Sequence, residues 1–163
     1  MKTALFLFTL LFSFDAETQR LELKFKPSFH NYSKCIIYCV DDTCKIQLDI
    51  FRFRDTTTVI SSEVKLIPYE TFKQLKELAK SEEIIASYDM VLDGIGIEVK
   101  YSDDIDIKSF RFSSPDKGTK QYELVNMALS SLRELMQDKS SKKYLRALKK
   151  YLRTERFLFF FYR

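Results

Sequence analysis

The chain has 163 residues, 45% of them hydrophobic, and carries a formal net charge of +4. It is long enough to bury a core of its own and, with 15 Phe and 9 Tyr, too aromatic to be a disordered tail. Only three Gly and three Pro are present, which excludes a collagen-like segment, a Gly-rich phosphate loop and a long flexible linker.

The chain opens MKTALFLFTLLFSFDAETQR. Lys2 precedes an apolar run from Thr3 to Phe14, and Asp15-Ala16 follows. A helix needs about 20 apolar residues to cross a bilayer, and this run is shorter. A basic start, an apolar middle and a small residue at the end describe a secretory signal peptide. The expected division is a signal peptide over 1–16 and a single α+β domain over 17–163. No transmembrane span remains after cleavage, and the mature chain is expected to be secreted or periplasmic.

The segment LELKFK alternates strictly, with Leu21, Leu23 and Phe25 on one face, and predicts a half-buried strand ending at Pro27-Ser28. CIIYCV and TCKIQLDIFRF flank Asp41-Asp42 and predict a two-residue hairpin. TVISSEVKLI predicts a fourth strand with Ile60, Val64 and Leu66 inward. Pro68 opens a helix bearing Phe72, Leu75, Leu78 and Ala79 on one face, with Glu70 suiting its positive N-terminal end. From Ile95 the alternation returns as a hairpin that turns near Asp103-Asp104 and runs on through Phe110 and Phe112.

Thr119 is placed to cap a second helix with Tyr122, Val125, Leu129, Leu132 and Met136 on one face. Tyr144, Leu145, Leu148, Tyr151 and Leu152 mark a third. RFLFFFY predicts a closing strand. Strand runs interrupted by helices predict an α+β fold: a mostly antiparallel sheet of about six or seven strands with two or three helices packed on it.

All three cysteines lie in CIIYCVDDTC, residues 35–44. With Asp41-Asp42 as the turn, Cys39 falls opposite Cys44 in a non-hydrogen-bonded pair, where Cα atoms approach to roughly 4.5 Å. That separation suits a disulfide, and an oxidising compartment preserves one. Cys35 is left as a free thiol, either buried or intermolecular, and the apolar face it shares with Ile37, Ile46 and Ile50 favours burial.

A zinc site would need His30, the only histidine, as a fourth ligand, and the spacing is not that of a paired Cys-x2-Cys knuckle. His30 is expected as a solvated loop residue. No metal and no cofactor is assigned. Asp103, Asp104 and Asp106 lack the calcium-loop pattern and read as a solvated turn. The chain contains no G-x-S-x-G, H-E-x-x-H or phosphate-loop motif. The remaining enzyme reading is one of unfamiliar type, with His30 and nearby cysteines or acids as its chemistry.

Charge is segregated along the chain. Residues 139–163 contain nine Lys or Arg and one acid, Glu155, which leaves the preceding residues net negative. Lys142, Lys143, Arg146, Lys149, Lys150 and Arg153 surround the Tyr/Leu stripe of the third helix and are the candidate anionic-surface contacts. The function expected is that of a non-enzymatic exported accessory or interaction domain with a macromolecular partner, either an acidic protein or an anionic envelope surface. Peripheral attachment to a membrane or polyanion through the same helix is the alternative. Nucleic acid is not among the expected partners.

Intact-mass analysis of the protein from its native host should find a chain beginning near Glu17. A retained Met1–Ala16 segment would show that the apolar run is not a cleaved leader.

Overall fold

The computed structural model describes residues 19–41, 43–84, 94–103 and 107–153. The expected signal peptide, the closing RFLFFFY strand, Asp42, and Asp104 and Asp106 of the acidic turn lie outside these residues. The elements run β1 (Gln19–Pro27), β2 (Tyr32–Val40), β3 (Thr43–Phe51), β4 (Val59–Ile67), α1 (Tyr69–Lys80), β5 (Ile95–Ser102), β6 (Ile107–Ser113), α2 (Lys120–Leu135) and α3 (Lys139–Arg153). The six strands form one antiparallel sheet in the order β4-β3-β2-β1-β5-β6. The fold is α+β.

Register follows from the alternation of apolar side chains. Leu21 pairs with Ile37 on one side and Tyr101 on the other, and Ile37 pairs with Ile46. Leu23 likewise joins Cys35 and Val99, with Leu48 beyond Cys35. All of these are buried. A slip of one residue would turn each row to solvent. Each fully buried aliphatic side chain stabilises by about 1.5–3 kcal/mol, so the rows specify the register strongly.

The helices supply the second layer. Phe72, Leu75 and Ala79 of α1 are buried, as are Leu124, Val125, Ala128, Leu129 and Leu132 of α2. The α2 face is wider than its stripe predicts, because Leu124 and Ala128 join it. Thr119 caps α2 by accepting the Tyr122 N–H at 3.2 Å. Gly118, at φ +84°, supplies the left-handed turn into that cap. α3 begins at Lys139, earlier than its apolar stripe indicates, because Asp138 accepts the N–H groups of Ser140 and Ser141 at 3.0 and 3.3 Å.

β4 corrects the sequence expectation. Ile60, Val64 and Leu66 are not inward: they are 50%, 46% and 65% exposed. Register places Ser61, Glu63, Lys65 and Ile67 on the helix-covered side, opposite Ile50, Leu48, Ile46 and Cys44. A shift between Ile50 and Phe51 makes Ile60 an extra residue. β4 is an edge strand whose inward face is mainly polar, so apolar alternation misreports its orientation. Glu63 is satisfied there by the N–H groups of Gln137, at 2.7 Å, and Asp138. Burial pushes the Glu63 carboxyl up, but those N–H groups outweigh it and hold the carboxyl below the usual range.

Phe72→Ala should destabilise the protein by about 3–5 kcal/mol, and Leu66→Ala by no more than about 0.5 kcal/mol, in urea denaturation. Equal losses would mean that Leu66 is inward after all.

Candidate functional site

The cysteine hairpin is built by β2 and β3. Val40 pairs with Thr43 and Cys39 with Cys44. Asp41 takes φ +44°, as a tight hairpin turn requires. The Cys39 and Cys44 sulfurs stand at disulfide distance, with Cα atoms 4.1 Å apart. The bond closes a very short loop and chiefly holds hairpin register. Cys35 is a buried free thiol. Burial pushes its ionisation far up, and the nearby Asp49 charge adds to this. A thiol held protonated in an apolar layer is neither a nucleophile nor a metal ligand.

His30 is not the solvated loop residue expected from sequence. It is half-buried, with its ring tilted against Tyr144 at 5.6 Å and edge-on to Tyr151 at 6.3 Å. Its Nδ1 accepts the Asn31 N–H at 2.9 Å. The two tyrosines belong to α3, so contact across the fold buries a ring that local sequence leaves in a loop. Tyr144 donates its hydroxyl to Ser33 Oγ at 2.9 Å, and burial pushes that phenol up as well.

A cavity of about 430 Å³ opens beside this cluster, with Phe29, His30, Phe53, Ser61, Lys143 and Tyr144 among its lining. Among the described residues, no cysteine or carboxylate lines it. The Cys–His arrangement that an enzyme reading needs is therefore not assembled by the described residues. Among them, no three His, Cys, Asp or Glu side chains stand together as a metal site.

Asp103 also differs from expectation. Rather than lying in open solvent, it accepts from Lys80 Nζ at 2.8 Å and from the Tyr101 hydroxyl, and so ties the end of β5 to α1.

The charged feature that remains is α3. At about 100° per residue, Lys142, Lys143, Arg146, Lys149 and Lys150 fall within an arc of roughly 120°. Ser141, Tyr144, Leu145 and Leu148 fall on the opposite side and are buried. Lys142, Lys143, Arg146 and Lys150 are exposed, and Lys149 is half-buried. Arg153 is the last residue of the helix. The first turn of α3 contains no acid. Lys139 and Lys142 thus sit at the positive end of the helix dipole, where a cation is unfavourable by about 0.3–1 kcal/mol. Asp138 compensates by capping.

The sequence located this helix and its basic residues. It did not reveal the His30–Tyr144–Tyr151 cluster, because no periodicity links residue 30 to residues 144 and 151. No protein-family model matches this chain, and no curated protein matches it. No helix of the described residues is long and apolar enough to cross a membrane.

Thiol labelling under denaturing, non-reducing conditions should modify one cysteine per chain, at Cys35, and labelling of the native protein should modify none. Labelling of all three would contradict the staple. Cys35 also sets a pH dependence. Its folded-state ionisation lies above the ordinary thiol value of 9.0, so its contribution is fully present below that value. Unfolding free energy should fall as pH rises from about 9 to about 10, and Cys35→Ala should flatten that first decline.

Proposed function

We propose that this chain is a non-catalytic binding domain of a secreted or periplasmic compartment, and that it holds an anionic macromolecular partner on the basic face of α3. The observation that carries the reading is the arrangement of α3. Its apolar side is spent on the core, its opposite side is almost wholly cationic, and cations occupy even the end where the dipole opposes them. A helix serving only to cover the sheet gains nothing from that placement.

The disulfide supports an oxidising compartment. The absence of catalysis rests on the use already made of the reactive groups. Two thiols are bonded to each other, the third is buried, and the imidazole packs against two tyrosines. The partner presents carboxylates or phosphates, as an acidic protein or an anionic envelope surface does, and the attraction is mainly electrostatic.

Binding to anionic vesicles or to an acidic polypeptide should weaken steeply with salt, as the Debye length shrinks from about 10 Å at 0.1 M to about 3 Å at 1 M. The triple variant Lys142→Glu, Lys143→Glu, Arg146→Glu should lose binding at physiological salt without losing stability, since all three side chains are exposed and an acid at 142 suits the helix dipole. A variant that binds as the native protein does would reduce this face to a solvated surface.

A further inference from the structure

The two edges of the sheet are not equivalent. β4 ends it on one side and β6 on the other, and no described strand pairs with the outer side of either. Which backbone groups of β4 face outward follows from the disulfide hairpin. The Cα atoms of Cys39 and Cys44 are 4.1 Å apart, the close approach of a non-hydrogen-bonded pair. Cys44 therefore directs its backbone groups toward β4, and by alternation so do Ile46, Leu48 and Ile50. Their partners Ile67, Lys65, Glu63 and Ser61 bond inward. The N–H and C=O groups of Ser62, Val64 and Leu66 are left facing out, on the residues whose apolar members, Val64 and Leu66, are exposed.

We propose that β4 pairs antiparallel with β4 of a second copy, about a two-fold axis at Val64. In that register Val64 meets Val64 of the second copy as a hydrogen-bonded pair, and Ser62 meets Leu66. Glu63 meets Lys65 of the second copy, and Lys65 meets Glu63, in the closely approaching non-hydrogen-bonded positions. Opposite charges directly across a ladder attract, and like charges repel. Glu63 and Lys65 already pair along the strand at 3.3 Å, so each copy extends an existing ion pair into a four-charge set.

Inward-facing charges ordinarily guard an edge against foreign strands. Here the guard consists of opposite charges two residues apart, and a second copy in this one register neutralises it. β6 offers no such match. Its charged residues are Lys108 and Arg111, with no acid in the strand, so two copies of β6 bring cations and no counter-charge.

Both sheets become continuous with their helices on the same side, which places two α3 basic faces on one surface of the dimer. A contact made mainly by one nine-residue strand from each copy is small beside stable interfaces of about 1,200–2,000 Å², so the dimer is concentration-dependent.

Sedimentation velocity of the full chain over about a hundredfold range of concentration should show a shift from monomer to dimer by mass action. Val64→Lys sets two cations on the two-fold axis and should abolish the shift without changing the melting curve. Val64→Cys should form a covalent dimer on mild oxidation, because a hydrogen-bonded pair at about 5.5 Å between Cα atoms suits a disulfide. Ser109→Cys on β6 should not. Wild-type protein that stays monomeric throughout, a dimer that Val64→Lys leaves intact, or cross-linking at Ser109→Cys as efficient as at Val64→Cys would each overturn the proposal.

Discussion

Everything in this fold hangs on β1 pairing with two partners at once. β2, β3 and β4 form a meander on one side of it, and β5 and β6 form a hairpin on the other. Each side alone is a small sheet with an uncovered edge. β1 joins them through Leu21, Leu23 and Phe25, all fully buried. The same three residues lie under the helix layer, so one short alternating segment both closes the sheet and supplies the middle of the core. A polar substitution at Leu23 would strand a buried group against Cys35 and Val99, and its cost would be felt in both halves.

The sheet is covered on one side by α1, α2 and α3. The other side carries the charged alternation: Arg20, Glu22, Lys24 and Lys26 on β1, with Glu98 and Lys100 on β5. Glu98 takes Lys26 at 2.9 Å and also contacts Arg111 across the neighbouring strand. These exposed pairs contribute little stability individually. Their effect is on register and solubility. Toward β4 this face becomes more apolar, with Ile36, Val64 and Leu66, and the buried carboxylate of Asp49 is satisfied there by Ser62 at 2.6 Å and by Gln47. The sheet is therefore electrostatically lopsided, and its more apolar end lies at β4.

The chemistry-bearing residues divide in the same way. Thiols and imidazole are drawn into packing: a hairpin staple, a buried Cys35, and a ring set against Tyr144. Cations are pushed outward on α3.

Sequence alone determined every element whose inward face is apolar. β1, the β2–β3 hairpin, α1, α2, α3 and the β5–β6 pair follow from period, caps and turn residues, and the Cys39–Cys44 pair follows from counting outward from Asp41-Asp42. Period fails where the inward face is not apolar. In β4 the alternating Val64 and Leu66 face solvent, while Glu63 points in, because the N–H groups of Gln137 and Asp138, some 74 residues distant, are there to receive it. His30 took its place for the same kind of reason: only the docking of α3 brings Tyr144 and Tyr151 to it. Local pattern encodes which side of an element prefers water. Which polar group finds a partner inside, and which apolar group is left at an edge, depends on elements far apart in the chain meeting in space.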